Sequence, residues 1–243
     1  MNSRNETVCF TSSMSQKESA AALIYLPVHI FLLPVIFGRM VNNGTISEPD
    51  GNLLLYAAAL VFLITAEFRF MRREFDPLCD NMGKCFFQIL LCYLIMMSLN
   101  LCVSGIVSLI EYAISGSSAE GNLNNSAIMD MAGQDYGKMS AIGIFMAPIA
   151  EEIMFRGAVF SGLYKHGRIL AYAGSMLLFS VYHVWGYAVS DPVYWIFIIQ
   201  YLPASFVLCR CYEKTNTIWA PVFLHMLVNS ISFRVLTELE GLL

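Results

Sequence analysis

Seven apolar stretches of membrane-spanning length alternate with polar stretches along the chain. A helix needs about 20 mostly apolar residues to cross a bilayer, and the third stretch is long enough to tilt, kink or split into two helices. The pattern therefore predicts an all-α fold, a polytopic transmembrane helical bundle with about 7–8 spans. The stretches cover about residues 20–38, 52–68, 86–111, 139–163, 169–188, 193–209 and 217–237.

The amino-acid composition is also that of a protein embedded in a membrane. Hydrophobic residues make up 57% of the chain and charged residues 13%, with a mean hydropathy of +0.61, whereas soluble domains average about 25% charged residues. No basic run or basic-aromatic strip is present, so no nucleic-acid partner is expected. Because most of the 243 residues lie in the predicted spans, we expect a single integral membrane domain whose constant partner is the lipid bilayer.

The basic residues predict the orientation of the bundle. With a cytoplasmic N-terminus, the inner segments hold ten Lys and Arg and the outer segments hold three. Such an excess of positive charge marks the cytoplasmic side of a membrane protein. The longest polar stretch, residues 116–138, then lies outside as an extramembrane loop that includes a short surface helix.

The fourth stretch carries three charged residues near its centre, where membrane-spanning helices rarely have any. In "APIAEEIMFRG", Glu151, Glu152 and Arg156 occupy the middle of an apolar run, and each such charge costs roughly 2.5–3.5 kcal/mol to insert. Glu152 and Arg156 are four residues apart in the favourable acid-before-base order, so they are predicted to pair on one helix face. Glu151 points about 100° away from Glu152 and is predicted to face other helices. The alternative is that all three residues only fasten helices together.

Two later stretches offer polar partners for Glu151. Phe179 and His183 are four apart in "LLFSVYHVWGY", and His225 and Asn229 are four apart in "TIWAPVFLHMLVNS". Polar groups at membrane depth need protein partners because lipid offers none. His29 is a weaker candidate, since its own run contains no polar neighbour.

Prolines precede both polar clusters. Pro148 stands before the acid pair and Pro221 before His225. A proline inside a helix frees a carbonyl and bends the axis. Each proline therefore predicts either a small wet pocket beside the polar groups or an ordinary kink.

These residues match the chemistry of peptide hydrolysis. Glu151 is a candidate general base for water, and His183, His225 and Asn229 are candidates to hold that water or to stabilise an oxyanion. Glu151, His183 and His225 could instead form the His2Glu ligand set of a catalytic zinc site. The HExxH motif is absent, so these residues leave both mechanisms open.

The three clusters resemble a known family. Glu151-Glu152-x-x-x-Arg156, Phe179-x-x-x-His183 and His225-x-x-x-Asn229 are similar, in order, to the motifs of the CPBP (CAAX protease and bacteriocin-processing) intramembrane endopeptidases. The similarity covers about residues 139–235, which makes that range the expected catalytic core. Residues 1–138 are expected to supply N-terminal transmembrane helices and the extramembrane loop.

The resemblance implies an intramembrane protease, a hydrolase that cleaves a peptide bond in or near the bilayer. It assigns water activation to Glu151 and completes the catalytic set with Glu152, Arg156, His183, His225 and Asn229. Members are described both as metalloproteases and as metal-independent glutamate enzymes, so zinc is compatible with the resemblance but not required by it.

The resemblance implies more than one class of substrate. The substrate is expected to be a membrane-associated peptide or lipidated protein: a prenylated CAAX protein, a peptide pheromone or a bacteriocin precursor. The short chain is typical of bacterial members, which predicts a bacterial cell membrane. Two other classes fit the same polar residues: a non-enzymatic peptide-binding or immunity protein, and a small transporter or proton-relay protein, although no internal repeat of the transporter kind is present.

Overall fold

The computed structural model describes residues 10–115, 122–239 and 241, and that part of the chain is helical without strands. The predicted all-α helical bundle is confirmed. Residues 116–121 of the predicted extramembrane loop lie outside the described residues, and a helix follows them. The helices are α1 (Gln16–Asn42), α2 (Glu48–Arg73), α3 (Phe75–Asp80), α4 (Met82–Ser115), α5 (Leu123–Gln134), α6 (136–164), α7 (Arg168–Ala188), α8 (Pro192–Thr215) and α9 (Trp219–Leu239).

Within the described ranges, six helices are long and apolar enough to cross a membrane: α1, α2, α4, α7, α8 and α9. They correspond to six of the seven predicted stretches. The remaining stretch is α6, which is helical throughout but carries three charged residues at its centre. Because α6 is surrounded by the other helices, all residues from Ala150 to Ser161 are buried. Helix α6, with its three charged residues, is thus enclosed by apolar helices.

Helix α6 alternates between α-helical and π-helical turns. The π turns cover Ile142–Met146 and Glu152–Phe160 and flank Pro148. A π turn inside a helix is rare and is frequent at functional sites, because it re-aims the side chains that follow. The acid pair lies at the junction between Ala147–Glu151, which is α-helical, and the second π turn.

Contacts between helix ends define two faces of the bundle. At one end, which we name the basic end, Arg73 pairs with Glu18 at 2.8 Å and Arg168 pairs with Glu213 at 2.5 Å. At the other end, which we name the α5 end, Lys138 lies 2.8 Å from carboxylate oxygens of both Asp50 and Asp135. The predicted inner and outer segments therefore gather at opposite ends of the structure.

The largest core cluster joins both halves of the chain. Leu63 and Phe70 of α2 pack with Ile153 and Phe155 of α6 and with residues of α7, α8 and α9. At Gly157 of α6, an added Cβ atom would lie 2.6 Å from the Met14 side chain and 3.3 Å from the Phe70 ring. This glycine therefore permits the close approach that buries α6.

The N-terminus of α9 is fixed to the C-terminal end of α2. The carboxylate of Glu74 accepts a hydrogen bond from the Ile218 amide at 3.0 Å, and the Trp219 indole donates to the Met71 carbonyl at 2.9 Å. The first four amides of a helix lack partners within it, so Glu74 satisfies a donor at the start of the helix that carries His225. Pro221 lies in the first turn of this helix, where proline is tolerated, and not in its interior as the predicted kink required.

We predict that Glu74 makes the stability of the fold depend on pH. Burial raises the pKa of Glu74 to about 7, although the Ile218 amide favours the charged form. Since the folded state holds this proton more tightly than the unfolded chain, the stabilisation is complete below pH 4.5 and is lost as the pH rises through about 7. Glu74→Gln keeps an acceptor for Ile218 and removes the titration.

The measurement is thermal unfolding in detergent from about pH 5 to about pH 8. Over that range the wild type should lose about 2–3 kcal/mol relative to Glu74→Gln. Parallel stability curves for the two proteins would contradict the prediction.

Candidate active site

The predicted ion pair on α6 is present and fully buried. Nη1 of Arg156 donates to Oε1 of Glu152 at 3.0 Å, and both side chains have no exposed surface. Nη2 of Arg156 donates to the hydroxyl and the carbonyl oxygen of Ser205 on α8 at 2.9 and 3.3 Å. The guanidinium also lies 4.3 Å from the centroid of the Phe179 ring on α7. Arg156 therefore ties α6 to α7 and α8 while it neutralises Glu152.

Glu152 has a second partner that the sequence did not predict. Nδ1 of His225 lies 2.8 Å from the same Oε1 atom. A carboxylate only accepts hydrogen bonds, so His225 donates from Nδ1, and in the neutral ring its Nε2 atom carries the lone pair. Besides its predicted pairing with Arg156, Glu152 therefore fixes the ring orientation of a candidate catalytic histidine.

Glu151 faces the other way, toward α2, α7 and α9. Its Oε1 atom accepts a hydrogen bond from the Tyr56 hydroxyl at 3.2 Å. Its Oε2 atom has no hydrogen-bond partner among the described residues and lies 3.8 Å from Nε2 of His183 and 3.9 Å from Nε2 of His225. The two adjacent glutamates therefore occupy different environments.

His183 is oriented by its own helix. Its Nδ1 atom donates to the Phe179 carbonyl oxygen at 2.8 Å, one turn earlier in α7, so in the neutral ring its Nε2 atom carries the lone pair. The ring stacks on Tyr201 of α8 with centroids 4.5 Å apart. Both candidate histidines thus present an acceptor nitrogen to the space beside Oε2 of Glu151.

Asn229 is held at the site by the π turn that precedes Pro148. Its side-chain nitrogen donates to the Gly143 carbonyl oxygen at 2.8 Å. In a π turn the carbonyl of residue 143 would bind the amide of residue 148, but Pro148 has no amide hydrogen. The proline therefore frees a carbonyl, as the sequence predicted, and that carbonyl binds a candidate site residue on another helix.

A cavity of about 540 Å³ lies in front of these groups. It extends toward the α5 end, because residues of α5 such as Asn124 and Met129 contribute to its wall. Four of the six predicted site residues line it, whereas Glu152 and Arg156 lie behind its wall. The lining residues of the predicted motifs are Glu151, Phe179, His183, His225 and Asn229.

Three further polar residues line the cavity and are not marked as site residues by the sequence pattern. Tyr56 and Tyr182 line it and share a hydrogen bond of 3.0 Å, and His29, fully buried, lies 3.1 Å from the Tyr182 hydroxyl. The sequence marks His29 only weakly because its own run contains no polar neighbour, whereas its hydrogen-bond partner Tyr182 comes from α7. Tyrosines carry little signal in a span because their rings suit an apolar setting equally well.

The three candidate zinc ligands are spaced more widely in this structure than the ligands of a bound zinc ion. Within the residues that the structure describes, no group of three or more His, Cys, Asp or Glu side chains has metal-binding geometry. Ligands of a tetrahedral zinc, each about 2.0–2.2 Å from the metal, are roughly 3.3–3.5 Å apart. The separations of Oε2 of Glu151 from the two histidine nitrogens, 3.8 and 3.9 Å, are longer.

Comparison with known proteins places the similarity on this region. Residues 136–231 match the family model described as "Type II CAAX prenyl endopeptidase Rce1-like". The chain is also similar to "Putative membrane peptidase YdiL" of Bacillus subtilis, with 31% identity over 138 residues. That match covers 56% of this chain and 51% of the relative, so the chain spans about half of that protein's length. No solved structure matches the chain.

We predict that Glu152→Gln destabilises the fold strongly. The substitution leaves Arg156 charged and buried without its counterion, which costs about 3–5 kcal/mol for a buried pair. The measurement is thermal or denaturant unfolding in detergent.

The matched control is Glu238→Gln in α9. Glu238 pairs with Arg234 at the same four-residue spacing, but these side chains are 52% and 75% exposed, so the change should stay within about 1 kcal/mol. Equal effects of the two substitutions would show that burial of the α6 pair carries no special cost.

Proposed function

We propose that this chain is a member of the CPBP family of intramembrane endopeptidases and cleaves a peptide bond of a membrane-associated protein or peptide. The match of residues 136–231 to the Rce1-like family model and the similarity to a membrane peptidase support this proposal. The observation that carries the proposal is the Oε2 atom of Glu151, which no described residue binds. It lies beside two acceptor nitrogens, at the wall of a cavity that is large enough for a peptide segment.

The proposed reaction begins with a water molecule beside Oε2 of Glu151. The water donates one proton to Glu151 and a hydrogen bond to Nε2 of His183 or His225, because both atoms carry lone pairs. Its oxygen attacks the peptide carbonyl as the proton passes to Glu151. The C–N bond then breaks, and the leaving amine takes that proton from Glu151.

The oxyanion of the tetrahedral intermediate needs a hydrogen-bond donor. Neutral His183 and His225 are poor donors here, since their Nδ1 hydrogens are already bound to Phe179 and Glu152. Asn229 has two side-chain N–H groups and uses one for Gly143. We therefore assign its second N–H to the oxyanion. No step of this mechanism passes through a metal ion.

The bundle is proposed to lie with its basic end in the cytoplasm, as the excess of Lys and Arg indicates. The part of the cavity that α5 lines then faces the opposite side of the membrane. The substrate would reach Glu151 from the extracytoplasmic side of the membrane. A bacterial cell membrane is the proposed location.

Replacing Glu151 is expected to abolish cleavage without unfolding the protein. Glu151→Gln removes the base while Tyr56 retains a partner, so turnover should fall by at least about 100-fold with little change in accumulation or thermal midpoint. The measurement compares new N-terminal and C-terminal peptide ends in membranes that contain the wild type or Glu151→Gln. It identifies the substrate in the same experiment.

The control is Glu152→Gln. Stability loss should dominate in that variant, and its residual folded fraction should have lowered turnover because Glu152 orients His225. Substrate cleavage by Glu151→Gln at a rate near that of the wild type would refute the proposed mechanism.

The proposed orientation predicts one-sided labelling by a membrane-impermeant thiol reagent. Cys79 lies at the basic end and is exposed, whereas Thr45 is exposed in the turn between α1 and α2 at the α5 end. In a variant with Cys9 and Cys102 replaced by serine, Cys79 should react only after the cells are permeabilised. Thr45→Cys, with Cys79 also replaced by serine, should react in intact cells. The reverse pattern would place the cavity on the cytoplasmic side.

A further inference from the structure

A chain of hydrogen bonds runs from Glu151 through three further residues of the cavity wall. The Tyr56 hydroxyl on α2 lies 3.2 Å from Oε1 of Glu151, the Tyr182 hydroxyl on α7 lies 3.0 Å from that of Tyr56, and Nε2 of His29 on α1 lies 3.1 Å from that of Tyr182. The sequence positions 29, 56, 151 and 182 belong to four different helices. None of the three residues beyond Glu151 belongs to the motifs described above.

The direction of every bond follows from the charge at one end. An ionised carboxylate only accepts, so the Tyr56 hydroxyl donates to Glu151. The oxygen of Tyr56 then accepts from the Tyr182 hydroxyl, and the oxygen of Tyr182 accepts from the Nε2–H of His29. Three donors point toward Glu151, and hydrogen bonds aligned in this way strengthen one another.

His29 closes the far end of this chain of bonds. It is fully buried, and no residue within the described ranges forms a hydrogen bond with its Nδ1 atom. Its ring packs against Tyr25 and lies edge-on to Tyr56. His29 is therefore held by ring contacts and donates its Nε2 hydrogen to Tyr182.

The two carboxylate oxygens of Glu151 differ in their hydrogen bonding. Oε1 is bound to Tyr56, whereas Oε2, which lacks a partner in the described part of the protein, faces Nε2 of His183 and His225. If Tyr56 were absent, the carboxylate could turn about its Cγ–Cδ bond, and neither oxygen would then be held beside Nε2 of His183 and His225. A catalytic base displaced by about 1 Å can lose about 100-fold in rate.

We infer that Tyr56, held in place by Tyr182 and His29, is a positioning residue that presents Oε2 of Glu151 to the attacking water. The inference rests on the proposed function, since it deepens the role of Glu151 in that reaction. It adds α1 and α2, which lie outside the matched region 136–231, to the parts of the chain on which turnover depends.

The test is the steady-state cleavage, in detergent micelles, of an internally quenched peptide. The peptide copies a cleavage site found in the comparison of peptide ends. Tyr56→Phe keeps the ring and removes the donor, so kcat should fall about 10- to 100-fold. KM should stay within about twofold, because the lost hydrogen bond goes to the base and not to the substrate.

The matched control is Tyr25→Phe. Tyr25 is another buried tyrosine beside His29, but its hydroxyl has no hydrogen-bond partner among the residues described. Its loss should leave kcat and KM within about twofold of the wild type. An equal fall in kcat for Tyr25→Phe would overturn the inference, since any buried hydroxyl would then serve.

The double variant Tyr56→Phe/Tyr182→Phe separates a connected chain from independent contacts. Residues that act as one unit give non-additive effects. Tyr182→Phe alone should lower kcat less than Tyr56→Phe, and the double variant should lose no more than Tyr56→Phe alone. If the fall in kcat of the double variant equals the product of the two single-variant falls, the two tyrosines act independently. That result would overturn the proposed anchoring of Tyr56 by Tyr182.

The outcomes separate this inference from the proposed function. A wild type and a Glu151→Gln variant that both fail to cleave any substrate would refute the function itself. A wild type that cleaves, with Tyr56→Phe within twofold of it or changed only in KM, would refute the positioning role alone. If Tyr56→Phe does not fold, Tyr182→Phe decides the matter: unchanged kcat in that variant would overturn the chain of bonds, and a severalfold fall would support it.

Discussion

The buried ion pair between Glu152 and Arg156 organises the bundle. Two charges in an apolar interior cost several kcal/mol each unless close partners offset the loss of water. Here three neighbouring helices contribute: α8 through Ser205, α7 through the Phe179 ring and α9 through His225. The requirement to satisfy one arginine and one glutamate therefore constrains how these three helices are arranged around α6.

The same pair also shapes the candidate site. Because Oε1 of Glu152 accepts from both Arg156 and His225, the helix that carries His225 is fixed with Nε2 directed at Glu151. The two adjacent glutamates divide along the helix: Glu152 is neutralised and orients a histidine, and Glu151 keeps one oxygen at the cavity that no described residue binds. Stability and the proposed chemistry are thus coupled through one carboxylate.

Irregular backbone in α6 and at the start of α9 helps to hold His225 and Asn229 in place. Pro148 and the π turns of α6 leave the Gly143 carbonyl without an amide partner, and Asn229 takes that place. At the start of α9, Glu74 binds the Ile218 amide. Helix α9 is therefore fixed at its start by the end of α2 and near its middle by α6, so His225 has little freedom to move away from Glu151.

Composition, run length and a four-residue spacing are enough to establish the membrane solvent, the helical bundle and the pairing of Glu152 with Arg156, because each of these is a local property of the chain. They also mark Glu151, His183, His225 and Asn229 as candidates, since polar groups within spans are few. The partners of these groups follow from the packing of helices against one another: His225 with Glu152, Asn229 with Gly143, and His29 with Tyr182. Those contacts join residues more than 70 positions apart, and no periodicity within one helix reports which neighbour it will face.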